Sequence, residues 1–284
     1  MKIDMILFPS DYFNCAKVDE DLSQEYAAVL ETGFYQTVLF DYSKWFDQGI
    51  LSLKNTPCKP HTAIYRGWMM EPRQYENFYH SLLKYNIELV TTPSSYCRMH
   101  LFPNIYNSLK EDTARLKIYP LHDPINVEEL KKEFPRFMVK DFVKSVKGTK
   151  FPKYFDQTIT QDEFDGWMEV FYKYRGDLLT GGIVIKEFLD LKFYHAHSNE
   201  YRVFYINYKP AVIAQNSGQP LDAPFPPQSL IEKYSALDSP FYTVDYAELT
   251  DGSWRIIEAG DGGVSGIPER YDYVQFFQKL YKSF

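Results

Sequence analysis

The chain has 284 residues and a mass of 33.5 kDa; aromatic residues make up 18% of it and charged residues 24%. This composition excludes a mostly disordered protein, and the length suffices for more than one lobe around a sizeable core. The formal net charge of −7 makes nucleic acid an unexpected partner, because binding to a phosphate backbone needs a basic surface.

The first third of the chain alternates strand and helix patterns, which predicts a small α/β lobe. Strands are predicted at residues 3–8, 37–42, 62–66 and 87–91, with helices at 22–31 and 72–85. Arg66 ends the third of these strands, and either a substrate carboxylate or a surface salt bridge would suit its guanidinium group. The aromatic, turn-rich span 93–124 predicts a bridge between lobes.

The remainder begins with a helix and becomes rich in strands. Helices are predicted at residues 127–133, 162–174 and 269–284, and strands at 136–143, 182–189, 200–207 and 211–216, before a hairpin within 242–260.

The cysteines and the apolar segments indicate in which cellular compartment the protein lies. The apolar start predicts a first strand and lacks the layout of a secretory signal peptide. No apolar run approaches the ~20 residues that a membrane-spanning helix needs. Cys15, Cys58 and Cys97 are odd in number and lack metal-ligand spacing, so we expect free thiols in a reducing compartment. These features predict a cytoplasmic protein without a membrane partner.

A group of lysines follows the strand 136–143. Lys140 lies within the apolar part of that strand, and a buried lysine needs an anionic partner. The loop after the strand carries Lys144, Lys147 and Lys150 among small residues. Such a loop can cover a triphosphate with backbone N–H groups and point charges. A solvated charged loop is the alternative.

Arg202 lies in the predicted strand 200–207. The two-residue period of a strand places it on one face with Glu200 and Phe204. A simple ion pair with Glu200 is the plainer interpretation. The functional alternative is an arginine directed at a γ-phosphate or a developing oxyanion, which its rigid fork of donors suits.

The predicted hairpin brings two carboxylates together. Asp251-Gly252 between two β-prone runs predicts a two-residue turn, in which Glu248 faces Arg255 and Asp245 faces Glu258. The first pair has opposite charges and supports the ladder, whereas the second has like charges roughly 5 Å apart at Cβ and should destabilise it. A shared proton or a hard divalent cation would neutralise the carboxylates. A solvent-exposed edge is the alternative.

Taken in order, these segments resemble the ATP-grasp superfamily over residues 137–268. The resemblance rests on Val139-Lys140 and the loop after it, on 184–189, on Glu200-Tyr-Arg-Val-Phe204, and on the span from Asp245 to Glu258. It is closest to the phage and bacterial subgroup that has one arginine and two lysines in the nucleotide site. The resemblance implies an α+β (α/β) ATP-grasp fold: an N-terminal α/β lobe of residues 1–115, then an ATP-grasp domain of residues 116–284 whose two α+β lobes clasp ATP.

The resemblance also implies the residues that bind nucleotide. Lys140 and Lys144 would contact the ATP phosphates, and Arg202 would contact the γ-phosphate or an acyl phosphate, which makes Lys140 and Arg202 the candidate catalytic residues. The adenine pocket would be lined by Lys186, Glu187 and Leu189.

In the same way, the resemblance implies a metal site. Asp245 and Glu258 would ligate Mg²⁺. The family usually carries Asn two residues after the metal-binding Glu, where this chain has Gly260, followed by Asp261 as a substitute ligand. The loop that follows, with Gly263 and Ser265 as candidate substrate-binding residues, would pass over the acyl-phosphate site, since glycines allow close backbone approach.

The implied activity is ATP-dependent carboxylate–amine ligation. ATP phosphorylates a carboxylate to an acyl phosphate, and an amine then attacks it to give an amide, ADP and phosphate. This chemistry depends on positioning and charge neutralisation, which lysines, an arginine and Mg²⁺ supply. The substrates would be a small-molecule or peptide carboxylate and an amine acceptor. A catalytically silent nucleotide-binding protein and a phosphotransferase on the same scaffold are the alternatives.

Overall fold

The N-terminal lobe is built on a four-stranded parallel sheet in the order β2-β1-β3-β4. We describe residues 2–54, 56–146 and 148–284 from a computed structural model, so Lys147 of the basic loop lies outside the described residues. The lobe contains β1 (Met5–Pro9), α1 (Ser23–Thr32), β2 (Gln36–Phe40), α2 (Tyr42–Gln48), β3 (His61–Tyr65), α3 (Pro72–Leu83) and β4 (Ile87–Leu89).

Both faces of this sheet are covered, which explains why its strands read as apolar runs. Ile6 and Phe8 of β1 pack in one cluster with the C-terminal helix, whereas Met5 and Leu7 pack in another with α3. The first cluster also contains Phe204 and other residues of the C-terminal sheet, so the N-terminal lobe and that sheet share a core.

The span predicted to be a bridge is instead regular. It contains α4 (Pro93–His100), α5 (Phe102–Leu109) and β5 (Leu116–Tyr119). Pro93 and Pro103 lie in the first turn of the two helices, where a missing backbone N–H costs nothing. Thr92 caps α4 by accepting a hydrogen bond from the amide of Ser95.

The central lobe is a three-stranded antiparallel sheet in the order β5-β7-β6. Its other elements are α6 (Val127–Glu133), β6 (Phe137–Asp141), α7 (Gln161–Arg175) and β7 (Ile183–Glu187). Phe137, Val139 and their neighbours pack against α6 and α7 on one face. Strand alternation therefore places Lys140 and Lys186 on the opposite face.

The C-terminal lobe is a four-stranded antiparallel sheet in the order β11-β10-β12-β13. A small hairpin of β8 (Phe193–Tyr194) and β9 (His197–Ser198) precedes it, and the lobe contains β10 (Glu200–Ile206), β11 (Lys209–Gln215), α8 (Gln228–Lys233), β12 (Phe241–Glu248), β13 (Trp254–Asp261) and α9 (Tyr273–Ser283). No helix within the described ranges is long and apolar enough to cross a membrane. All three cysteines are free thiols, as predicted.

The β12–β13 hairpin confirms one predicted pair and corrects the other. Asp245 lies opposite Glu258, as predicted. Glu248 lies opposite Trp254, so its predicted pairing with Arg255 is wrong. The carboxylate of Glu248 is instead buried in a polar network.

The turn geometry explains this correction. Leu249 donates a backbone hydrogen bond to Ser253 (2.7 Å), so the turn comprises the three residues 250–252, with Gly252 at φ 83°. A three-residue turn of this kind uses a glycine in the left-handed region, and it displaces the ladder by one residue from the two-residue register. Ile257 is an extra, unpaired residue on β13, and beyond this bulge the predicted register returns.

Glu248→Gln tests the buried network. The Glu248 carboxylate accepts hydrogen bonds from Lys192 Nζ (2.8 Å), Tyr194 Oη (3.0 Å) and Asn199 Nδ2 (2.8 Å). We expect the substitution to lower the free energy of unfolding by about 1–3 kcal/mol in urea denaturation, since a buried charged acceptor is lost. Nucleotide-induced stabilisation should not change. Glu133→Gln, at a half-exposed ion pair, should cost less than ~1 kcal/mol, and equal losses would contradict the prediction.

Candidate active site

A cavity of about 780 Å³ lies where the central and C-terminal sheets face each other. It is lined by ten of the twelve residues predicted for the site: Lys140, Lys144, Lys186, Glu187, Leu189, Arg202, Asp245, Glu258, Asp261 and Ser265. The remaining two predicted residues, Arg66 and Gly263, do not line the cavity. They fix the position of the loop after β13, which forms part of its wall.

The two opposed carboxylates are neutralised by cations of the protein. Arg202, Asp245 and Glu258 lie on one row across β10, β12 and β13. Arg202 binds Asp245 in a bidentate manner, with Nε–Oδ1 and Nη2–Oδ2 distances of 2.9 and 2.7 Å. Lys140 Nζ lies 3.1 Å from Glu258 Oε1. From β10 to the central sheet the order is therefore one cation, two adjacent carboxylates and a second cation.

The predicted ion pair between Arg202 and Glu200 is wrong, because the arginine pairs across the sheet. Directly opposed residues on neighbouring strands are closer than residues two apart on one strand. The guanidinium group is further fixed by a hydrogen bond from Nη1 to the carbonyl of Gly266 (2.9 Å). Arg202 thus connects the carboxylate row to the glycine-rich loop that follows β13.

Phe102 supports both lysines of the central sheet, a contact that the sequence pattern does not predict. Lys186 Nζ lies 4.2 Å from the centre of its ring and Lys140 Nζ lies 5.9 Å from it. Lys186 also donates a hydrogen bond to the carbonyl of Ile257 (2.7 Å), the extra residue of the β13 bulge. Burial, assisted by the nearby Lys140 and opposed by Glu258, lowers the pKa of Lys186 to about 7.

This pKa shift predicts how stability depends on pH. The ordinary lysine pKa of 10.5 applies to the unfolded chain, which therefore binds more protons than the folded chain between about pH 7 and 10.5. The free energy of unfolding should rise with pH across this window and lose that contribution as pH falls to 7. Lys186→Met should flatten the rise in thermal stability between pH 7 and 10, whereas Lys132→Met, at an exposed position of α6, should not. Equal slopes in the wild type and Lys186→Met would contradict the assignment.

Asp141 organises the start of the basic loop. Its carboxylate accepts hydrogen bonds from the amides of Val143 (2.7 Å) and Lys144 (2.6 Å) and from Arg175 Nε (2.7 Å). The Asp141 side chain is fully buried. These contacts fix the backbone turn that brings Lys144 to the cavity wall. A carboxylate at the end of an apolar strand is the only sequence signal for this role.

The end of β7 forms the far side of the cavity. Lys186, Glu187 and Leu189, the residues predicted to contact adenine, line the cavity there. The Glu187 carboxylate is bound by Arg115 Nη2 and Nε at 2.8 and 3.0 Å. This ion pair lowers the pKa of Glu187 and holds the strand end in place.

Arg66 is engaged in a buried ion pair, so neither predicted partner is correct. The residue is 2% exposed, and its Nε and Nη2 atoms donate to Glu25 at 2.8 and 2.6 Å. Its Nη1 atom donates to the carbonyls of Gly262 and Ser265. Arg66 is therefore unavailable to a substrate carboxylate. It holds the glycine-rich loop from the end of β3.

Gly263 sits where only glycine fits. A Cβ atom on it would lie 2.7 Å from the carbonyl oxygen of Tyr65, and its own carbonyl accepts a hydrogen bond from the amide of Gly67 (3.1 Å). The loop is thus packed against the N-terminal lobe. Ser265 reaches the cavity, with its hydroxyl 2.7 Å from the carbonyl of Asp261 and 2.9 Å from the hydroxyl of Thr243.

Asp261 borders the cavity, but its side chain does not project from the face of β13 that carries Glu258. It is three residues from Glu258 on one strand, so the two side chains leave opposite faces. Its Oδ1 atom accepts from the amide of Gly263 (2.8 Å), and Oδ2 has no partner among the described residues. Burial raises the pKa of Asp261 to about 7. In the described ranges no group of three or more His, Cys, Asp or Glu residues is arranged to hold a metal ion.

Most of the two lobes that enclose the cavity matches a known protein family. Residues 129–283 match the family described as ATP-grasp domain, R2K clade family 3. The chain belongs to the ATP-grasp family. The match runs from within α6 through the rest of the central lobe and the C-terminal lobe, and it confirms the predicted superfamily. No curated protein sequence matches the chain.

Solved ATP-grasp structures share the whole fold at low sequence identity. The ATP-grasp ligase PsnB, complexed with a minimal precursor, is 10% identical with a TM-score of 0.62, and all of both chains is covered. D-cycloserine synthetase DcsG is 11% identical with a TM-score of 0.62, over 98% of this chain and 99% of that one. The D-alanine-D-alanine ligase of Coxiella burnetii is 10% identical with a TM-score of 0.63, over 99% and 93%. These similarities confirm the predicted ATP-grasp fold.

Proposed function

We propose that this ATP-grasp protein is an ATP-dependent carboxylate–amine ligase that binds Mg-ATP in the cavity between the two sheets. The observation that carries the proposal is the charged row, in which the Asp245–Glu258 pair is flanked by Arg202 and Lys140. A Mg-ATP site needs positive side chains that bind the phosphates and carboxylates that bind the metal ion, side by side. The domain boundary proposed for this activity is residue 116, where β5 begins.

The cations facing the cavity fit a triphosphate. Lys140 and Lys186 project from one face of the central sheet, and Arg202 faces them from the C-terminal sheet. We assign these three as the arginine and two lysines of the subgroup, with Lys144 reaching the phosphates from the loop above. Because Lys186 is partly deprotonated near pH 7, an incoming phosphate would increase its protonation and gain a charge-assisted hydrogen bond.

The carboxylates suit Mg²⁺. Asp245 and Glu258 supply hard oxygen ligands from directly opposed positions, and carboxylates are what this ion prefers. When bound, Mg²⁺ would neutralise phosphate charge and orient the γ-phosphate. Lys140, which balances Glu258 in the ligand-free protein, would then be released towards the phosphates, while Arg202 keeps its contacts with Asp245 and the loop.

The loop after β13 would bind the carboxylate substrate. Carboxylate oxygen would attack the γ-phosphorus of ATP, the bond to the β-phosphate oxygen would break, and ADP would leave. The amine would then attack the acyl carbon, and phosphate would leave as the amide forms. Arg202, fixed between Asp245 and the loop carbonyl of Gly266, is placed to stabilise the charge that moves from ATP to the acyl group.

Substrate-dependent release of ADP and phosphate tests the function. Purified protein with Mg-ATP should release phosphate in the presence of a pool of carboxylic acids and amines, including amino acids and short peptides, and much less with either pool alone. Lys140→Met should abolish this release, while Lys132→Met should not. Phosphorylation of an alcohol without amide formation would identify a phosphotransferase instead. Mg-ATP binding without any turnover would identify a silent scaffold.

A further inference from the structure

Gly260 leaves an open position on the face that carries the metal carboxylates. Thr243 lies opposite Gly260, and Asp245 lies opposite Glu258. The two pairs are two residues apart along the strands, about 7 Å, and their side chains point to the same face. A side chain at residue 260 would therefore project beside the Glu258 carboxylate. Because Gly260 does not have a positive φ, its backbone would accept such a side chain.

The Ser265 hydroxyl occupies that position. A Cβ atom built on Gly260 would lie 3.3 Å from Ser265 Oγ and 3.6 Å from Thr243 Oγ1, and apart from its chain neighbours no other heavy atom of the described residues lies within 4 Å of it. Ser265, in the loop after β13, thus occupies the space that a side chain at residue 260 would fill.

The hydrogen bonds of Ser265 leave it able to bind a cation. Its hydroxyl proton is donated to the carbonyl of Asp261 (2.7 Å). The hydroxyl of Thr243, 2.9 Å away, then donates to one lone pair of Ser265 Oγ. A hydroxyl oxygen has two acceptor lone pairs, so one remains to accept a cation. An oxygen whose proton is directed away from the site is a suitable neutral ligand for a hard cation.

We propose that the Ser265 hydroxyl is the third protein ligand of the magnesium site, in the place that Gly260 leaves open and that Asp261, on the opposite face, does not fill. The inference rests on the proposed function, because it requires a divalent cation at Asp245 and Glu258. The loop then completes the metal site as well as covering it. Arg66 contributes indirectly, since it binds the carbonyl of Ser265 and fixes the loop.

Direct binding of Mn²⁺ in the presence of ADP, followed by electron paramagnetic resonance, tests the proposal. Ser265→Ala should weaken Mn²⁺ binding roughly tenfold, as loss of a metal-site partner commonly does. Ser253→Ala, which removes a hydroxyl from the distant hairpin turn, should leave the affinity within about twofold of the wild type. Wild-type affinity in Ser265→Ala would overturn the proposal.

Two further variants distinguish a ligand from a residue that only shapes the loop. Ser265→Cys keeps the side-chain size and should bind Cd²⁺ more tightly and Mn²⁺ more weakly than the wild type, because sulfur prefers the softer ion. An unchanged preference between the two ions would overturn the proposal even if Ser265→Ala does not fold. Gly260→Asn in the Ser265→Ala background should restore Mn²⁺ binding, since an amide oxygen can enter the vacated space. Absence of Mn²⁺ binding to the wild type with ADP would instead overturn the proposed function.

Discussion

Arg66→Met is expected to lower the free energy of unfolding by about 3–5 kcal/mol, because it leaves the Glu25 carboxylate buried without its partner. The two side chains are 2% and 8% exposed, so water cannot replace the lost contacts. The substitution also removes the donors that hold the carbonyls of Gly262 and Ser265. Urea denaturation measures the loss, and amide hydrogen exchange should increase in the loop 262–266.

Two controls make the Arg66 result specific. Arg98→Met removes an arginine from the exposed pair with Asp238 and should cost less than ~1 kcal/mol. Glu25→Gln combined with Arg66→Met removes both charges and should be less destabilising than the sum of the single substitutions. If Arg66→Met costs no more than Arg98→Met, the buried pair does not hold this part of the structure.

Asp245→Asn is expected to abolish the magnesium-dependent part of nucleotide binding and also to destabilise the protein. From the like-charge pair alone, relief of repulsion would predict equal or higher stability. The bidentate pair with Arg202 reverses that sign, since the variant leaves a mostly buried guanidinium group without its carboxylate. Stabilisation by Mg-ATP, which amounts to about 2.7 kcal/mol at a hundred times the dissociation constant, should fall close to zero. Thermal denaturation with and without Mg-ATP measures both effects.

Glu258→Gln separates the two effects of Asp245→Asn. It removes the second of the two carboxylates proposed to bind Mg²⁺ but leaves the Arg202–Asp245 pair in place, and the Glu258 side chain is 43% exposed. We therefore expect a similar loss of magnesium-dependent stabilisation with a smaller loss of intrinsic stability. Full magnesium-dependent stabilisation in both variants would show that the metal lies elsewhere.

Local patterns in the sequence predicted most of the elements. The apolar strands of the N-terminal lobe, the helix Val127–Glu133 and the helix α7 follow from periodicity and capping residues, which act within a few residues of chain. The span 93–124 was predicted to be rich in turns, but Pro93 and Pro103 lie in the first turns of helices instead of interrupting them. The predicted hairpin register is wrong by one residue next to the three-residue turn. It is correct beyond Ile257, because the extra residue there offsets the shift.

The partners within the site depend on contacts that a sequence pattern does not contain. The opposition of Asp245 and Glu258 is local to one hairpin and was therefore predictable. Arg66 meets Glu25 and the loop after β13 across 41 and almost 200 residues of chain, so only the packing of the lobes reveals its role. Phe102 beneath the two lysines is a contact of the same kind.

The proposed Mg-ATP site is tested by the thermal stability of the protein in four conditions: without ligand, with Mg²⁺, with ATP and with both. A Mg-ATP site at the charged row predicts a shift of several degrees that requires ATP and Mg²⁺ together and that Asp245→Asn removes. No shift at millimolar Mg-ATP, or a shift of the same size without Mg²⁺, would contradict the account.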